Sequence, residues 1–295
     1  MKPRAREPLR GRPASGGALS GLLATGLAFL ASTSCSTAGE SGPPDSRRVV
    51  VPVAVAASMR EPFEEIAAEF EATHPHADAR ASYLSSGAAV QQILAGAPFQ
   101  LFVSADTAYP ASLQRAGRTV PGTYLVYARG SLALWLPNRV AREVDIGRHM
   151  DTDTLSSHAA ARLHPHANGG SLIPESVRRI AIANPDLAPY GRAASEALET
   201  MGVSNLAVVH GEDAAQASQI ALAAADAALL PISLATLGAM REAGVIVPLS
   251  EGMHQPVLHA AVALEGAGEN AVALLRFLAS DRARTVLARY GFRAP

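Results

Sequence analysis

Residues 49 to 92 carry two successive switches between hydropathy periods. Val49 to Ala57 is an apolar run that ends at Ser58, after which Phe63, Ile66, Ala67 and Phe70 fall at helical spacing among acidic residues. That spacing predicts a buried strand followed by an amphipathic helix. The pattern recurs when the alternation from Ala79 to Tyr83 breaks at Leu84-Ser85-Ser86-Gly87 and a second helix is expected near Ala88. Gln100 to Val103 predicts a third strand and Thr107 to Ala116 a third helix. The order βαβαβα predicts a largely parallel sheet with right-handed crossovers.

Further along, Ser131 to Leu136 predicts a strand stopped by Pro137, and periodicity is then lost over 138–174, which reads as a long loop or insertion. Alternation resumes with expected strands at Val177 to Ala183, Leu206 to His210, Ala227 to Pro231 and Val245 to Leu249. Between them helices are expected from Tyr190 to Met201, Glu212 to Ala223 and Ser233 to Ala243. A last strand, Val257 to Leu264, precedes helices from Asn270 to Ala279 and Asp281 to Tyr290. Two α/β blocks of the same kind predict two lobes facing a cleft, each a mostly parallel sheet flanked by helices. Lobe I is expected to comprise 48–127 and 257–295, and lobe II 128–256.

The junctions have chemical consequences. The first N–H groups of a helix lack intrahelical acceptors and carry the positive end of the macrodipole, so two helix starts that each offer a hydroxyl can hold an anion. In a parallel sheet both junctions fall at the carboxyl ends of the strands, where open α/β sheets bind ligands. Ser58 and Ser86 sit at such junctions. Taken singly, each is better explained as a helix N-cap; the repetition after consecutive strands shifts the balance towards a site.

Composition narrows the function classes. The 295 residues have a formal net charge of -1 and 5% aromatic residues, which gives neither the basic surplus nor the stacking platforms of a nucleic-acid binder. The single cysteine, Cys35, excludes an internal disulfide framework and a Cys-rich metal site. Residues 1–35 read as an export signal, with Arg4, Arg6, Arg10 and Arg12 before an apolar core from Ala18 to Ala31. That core falls short of the roughly 20 apolar residues of a membrane-spanning helix. Small residues precede Cys35, as in a bacterial lipoprotein signal; Ser32 replaces the usual leucine three positions earlier, which leaves ordinary signal-peptidase cleavage open. A Ser/Gly/Pro-rich tether over 36–47 follows.

The residue types present admit two further chemistries. His149, His158, His164 and His166, with Asp151 and Asp153, could form a metal site, although histidines in a Pro/Gly-rich loop are more often solvated. No Gly-x-Ser-x-Gly, His-Glu-x-x-His or Walker-type motif is present. A serine hydrolase would need His210 or His259 beside Ser58 or Ser86. Arg60, in the first turn after Ser58, is expected to face solvent.

Ala56-Ala57-Ser58, Leu84-Ser85-Ser86-Gly87, Gln92 to Pro98 leading into Leu101 to Asp106, Ile182-Ala183-Asn184-Pro185, Ala188-Pro189-Tyr190-Gly191-Arg192 and Gly211-Glu212-Asp213 together resemble the periplasmic molybdate-binding proteins of ABC transporters. The terminal Arg289-Tyr290-Gly291-Phe292 belongs to the same resemblance, which runs from about Val49 to the C-terminus. It implies a two-lobed, type II periplasmic-binding-protein fold, monomeric, without cofactor or catalytic activity, handing molybdate or tungstate to a membrane permease. An oxyanion sensor of the same fold is the alternative role. The resemblance further implies oxyanion contacts from Ser58 and Ser86 and from the amides of Tyr190 and Ala214. Some members add a tyrosine where this chain has Pro231, and Ser233 is the candidate substitute.

Overall fold

The computed structural model describes residues 48–143, 173–203 and 205–295. The expected signal, the tether, Cys35 and the histidines and aspartates of the insertion lie outside the described residues. The described residues belong to one compact unit.

Strand β1 (Val49–Ala56) has Val51, Val53 and Val55 on one face and Ala54 on the other, and all four are buried. Helix α1 (Arg60–Thr73) covers the first face through Phe63, Ile66 and Phe70. On the opposite face, Ala54 packs with Ala89 and Ile93 of α2 (Ser86–Leu94) and Leu113 of α3 (Ala108–Arg115). Burial on both sides is why β1 reads as an unbroken apolar run. Strands β2 (Ala77–Leu84) and β3 (Leu101–Ser104) flank it in parallel register.

The chain leaves this sheet through β4 (Leu125–Gly130) and enters a second through β5 (Leu132–Pro137), so the change of lobe falls slightly beyond residue 127. A short helix α4 (Asn138–Ala141) follows. The second sheet is completed by β6 (Arg179–Ala183), β7 (Ala207–Gly211), β8 (Ala227–Pro231) and β9 (Gly244–Pro248). Its helices are α5 (Pro189–Thr200), α6 (Ala214–Ala224), α7 (Ile232–Ala235) and α8 (Gly238–Ala243). A return crossing leads to β10 (Val257–Ala263), which re-enters the first sheet, and to α9 (Glu269–Phe277) and α10 (Asp281–Arg289).

The sheet orders are β2-β1-β3-β10-β4 and β7-β6-β8-β5-β9. The two-lobed α/β architecture is thus present, but each sheet is mixed. Pairs joined by helical crossovers are parallel, as expected. Strands on either side of the lobe crossings, β4 and β10 in one sheet and β5 and β9 in the other, add antiparallel pairs. Two further differences are local. The helix expected from Ser233 to Ala243 is broken into α7 and α8 at Gly238, which has φ 39°. Strand β4 was not anticipated, because its sequence, LVYARG, has no sustained alternation and its pairing with β10 is bulged.

Candidate functional site

The carboxyl ends of five strands converge on one small cavity between the sheets. Ala56, Ala57 and Ser58 after β1, Leu84, Ser85 and Ser86 after β2, and Ala105 after β3 form one wall. Ala188, Pro189 and Tyr190 at the start of α5, with Asp213 and Ala214 at the start of α6, form the other. The cavity is small, about 10 Å³. Four sequence-predicted residues, Ser58, Ser86, Tyr190 and Ala214, therefore share one lining.

The serines are not helix caps. Capping of α2 falls to Ser85, whose hydroxyl accepts from the Ala88 amide at 3.3 Å. Ser86 instead accepts at its Oγ from the Ala105 amide, 3.1 Å away, which leaves its own hydroxyl proton to be donated. Ser58 lies in a 3-10 turn, Ala57–Met59, between β1 and α1. Its side chain is buried and its Oγ has no hydrogen-bond partner among the described residues. A buried hydroxyl without a partner costs about 1 to 3 kcal/mol, so its position calls for a functional explanation.

The opposite wall is built from helix starts. Pro189 occupies the first position of α5 and has no N–H, so the amide of Tyr190 is the first that helix presents. Asp213 caps α6 by accepting from the Gln216 amide at 2.9 Å, and Ala214 is the first helical residue after it. Both dipoles direct their positive ends at the cavity.

Ser233 lies outside the lining. Its hydroxyl donates to the Ser58 carbonyl at 2.8 Å, so its one proton braces the Ser58 turn rather than serving as a fifth donor. Pro231, at the end of β8, is likewise absent from the lining.

Nearby cations are engaged elsewhere. The Arg60 guanidinium lies 4.0 Å over the Tyr83 ring and the side chain is exposed, as expected. Arg192 pairs with Asp106 across the cleft. Further contacts join the rims: the Gly87 amide donates to the Leu187 carbonyl at 2.8 Å, and the Tyr109 hydroxyl to the Asp186 carbonyl at 3.2 Å. A Cβ on Gly87 would stand 2.7 Å from Tyr109 Oη and 2.9 Å from the Leu187 oxygen, so this approach requires glycine.

The two histidines that a serine hydrolase would require lie away from the cavity lining. His210 lines a separate groove with Ser195 and Glu199. His259 is fully buried, with Nδ1 3.3 Å from Tyr127 Oη and Nε2 3.2 Å from Tyr190 Oη. Burial lowers its pKa to about 3 and raises those of both phenols. The sequence signal for this residue is a histidine inside the otherwise apolar strand VLHAAVA. Among the described residues no group of three or more His, Cys, Asp or Glu could hold a metal ion, and no helix is long and apolar enough to cross a membrane.

Comparison with known proteins gives a consistent result. Residues 51–293 match the family of bacterial extracellular solute-binding proteins. The molybdate-binding protein ModA of Rhodobacter capsulatus is 31% identical over 81% of this chain and 86% of its own length. ModA of Azotobacter vinelandii is 29% identical over 82% of this chain and 89% of its own length. The solved periplasmic molybdate-binding protein of Azotobacter vinelandii superposes with a TM-score of 0.66 at 26% identity, covering 83% of this chain and 99% of that one. The chain belongs to the bacterial extracellular solute-binding protein family, in the company of the ModA proteins.

Proposed function

We propose that this protein captures molybdate or tungstate outside the cytoplasm and delivers it to the membrane permease of an ABC transporter. The observation that carries the reading is the pairing of a buried, unpartnered Ser58 hydroxyl with the Ser86 hydroxyl and two helix N-termini around one small cavity. Neutral donors converging from two lobes can replace the hydration shell of a tetrahedral dianion without a full countercharge. The ligand contacts are the hydroxyls of Ser58 and Ser86 and the amides of Tyr190 and Ala214. A protonated oxyanion such as hydrogen phosphate would turn its own proton towards a donor, at a cost of about 1 to 3 kcal/mol. The ModA relatives are molybdate-binding proteins, which supports molybdate as an ion held. The protein acts as a monomer and without a cofactor, and export follows from the signal-like residues 1–35, with Cys35 as the candidate lipid anchor.

Calorimetric titration of the purified protein with molybdate, tungstate, sulfate and phosphate tests the proposal. Molybdate and tungstate should bind most tightly and phosphate least. Equal affinity for phosphate, or no binding by any of the four, would refute it. Cys35→Ser should move the protein from the membrane fraction to the soluble fraction; an unchanged distribution would remove the anchor from the proposal.

A further inference from the structure

The side chain of Tyr190 turns away from the cavity that its backbone lines. It crosses from the second lobe into the first, where its hydroxyl lies against the backbone at Gly130, the last residue of β4 before the crossing. A Cβ at Gly130 would stand 1.8 Å from Tyr190 Oη and 3.0 Å from His259 Nε2. Tyr127 reaches the same histidine because β4 is bulged there. His259 of β10 pairs with Ala128 and Ala260 with Val126, so Tyr127 is the extra residue and its side chain is re-aimed. Phe292 packs edge-on to the imidazole, with ring centroids 5.1 Å apart.

Hydrogen-bond chemistry gives this cluster a direction. The Ser104 carbonyl, 3.4 Å from Tyr127 Oη, can only accept, so Tyr127 donates to it. Tyr127 then accepts from Nδ1–H of a neutral His259, and Nε2 is left as the acceptor for the Tyr190 hydroxyl. The residue after Ser104 is Ala105, whose amide donates to Ser86 Oγ. One chain of donors and acceptors therefore runs from the first turn of α5 to the end of β3, tying one wall of the cavity to the other.

We propose that His259 is a positioning residue for the oxyanion cavity: bridging Tyr190 to Tyr127, it fixes the first turn of α5 against the lobe that carries Ser86. The inference rests on the oxyanion reading above. It needs no contact between His259 and the ion.

Two near-isosteric substitutions separate positioning from general structural support. His259→Gln places an amide where Nε2 stood and can still accept from Tyr190, whereas His259→Asn places one where Nδ1 stood and reaches only Tyr127. In molybdate titrations, His259→Asn should raise Kd about tenfold, as losing one buried hydrogen bond predicts, while His259→Gln stays within about threefold of wild type. Tyr190→Phe, which keeps the ring, should resemble His259→Asn and serves if that variant folds poorly. Equal affinities for the Asn and Gln variants, or wild-type affinity in Tyr190→Phe, would overturn the proposal. A ligand-free arm keeps it separate from the reading of the cavity: amide exchange at Gly191 to Ala193 should quicken in His259→Asn and not in His259→Gln. If the wild-type protein bound no oxyanion, the proposed function would fall, and the exchange arm would still decide whether His259 holds α5.

Discussion

Gly87→Ala should divide fold stability from ligand affinity. Gly87 is the second residue of α2, directly after Ser86, and its amide donates to the Leu187 carbonyl across the cleft. An alanine Cβ would approach Tyr109 Oη to 2.7 Å, the Leu187 oxygen to 2.9 Å and Leu187 Cα to 3.0 Å. The tyrosine tip can swing aside. The Leu187 backbone cannot, because it sits in a turn in which the amides of Leu187 and Ala188 both donate to the Asn184 carbonyl. The lobes must therefore part at this edge, losing the Gly87–Leu187 bond and the Tyr109–Asp186 bond. At about 1 kcal/mol each, the loss is about 2 kcal/mol of closed state, or about 30-fold in Kd. Within α2 itself the effect has the opposite sign, since Gly to Ala in a helix favours folding by up to about 1 kcal/mol. Titration with molybdate and thermal unfolding of the ligand-free protein should thus disagree, with weaker binding and an unchanged or raised Tm. Wild-type affinity in this variant, or a Tm that falls together with affinity, would refute the reasoning.

The two cavity serines should behave differently. Ser58→Ala removes a hydroxyl without a partner, so unliganded stability should hold or rise while affinity falls by about 1.5 to 3 kcal/mol. Ser86→Ala should weaken binding by a similar amount and also destabilise the free protein by about 1 to 3 kcal/mol, because it orphans the Ala105 amide; urea unfolding beside calorimetry separates the two patterns. The Asp106–Arg192 pair is partly exposed on the arginine side, so Asp106→Asn should cost at most about 1 kcal/mol of affinity, and the loss should shrink in high salt. His259 gives a pH signature. Its neighbours Tyr127, Tyr190 and Phe292 are uncharged, and burial lowers its folded pKa from 6.5 to about 3, so between those values the unfolded chain binds the extra proton. Its contribution is complete above pH 6.5 and declines as pH falls towards 3, by about 3 kcal/mol at pH 4.5. Urea unfolding at pH 7 and 4.5 should show that much less pH sensitivity in His259→Gln; an identical slope would contradict it.

Ser85 and Ser86 show where sequence reasoning succeeds and where it stops. That a strand yields to a helix at these residues is a local matter of periodicity and turn chemistry, and so it was readable. The same holds at Ser58, at Pro189-Tyr190 and at Asp213-Ala214, and parallel topology then brings the junctions to one edge. Which serine caps and which faces the cavity depends on backbone angles that composition does not encode. The His259 cluster was out of reach for another reason. Its partners lie 132 and 69 residues away, and a bulge decides where Tyr127 points. Ser233 failed as a candidate donor because nothing local reveals that the Ser58 carbonyl would claim its proton.

The order of the first sheet constrains how the molecule is assembled. Strand β10 lies between β3 and β4, so those two strands have no common edge until residues near the C-terminus are in place. The second sheet, by contrast, draws on one uninterrupted segment that ends with β9 at Pro248. Folding should therefore proceed from the inner segment outwards, with the halves of the outer lobe joined last, and pulsed amide exchange during refolding should protect β6 and β8 before β3 and β4.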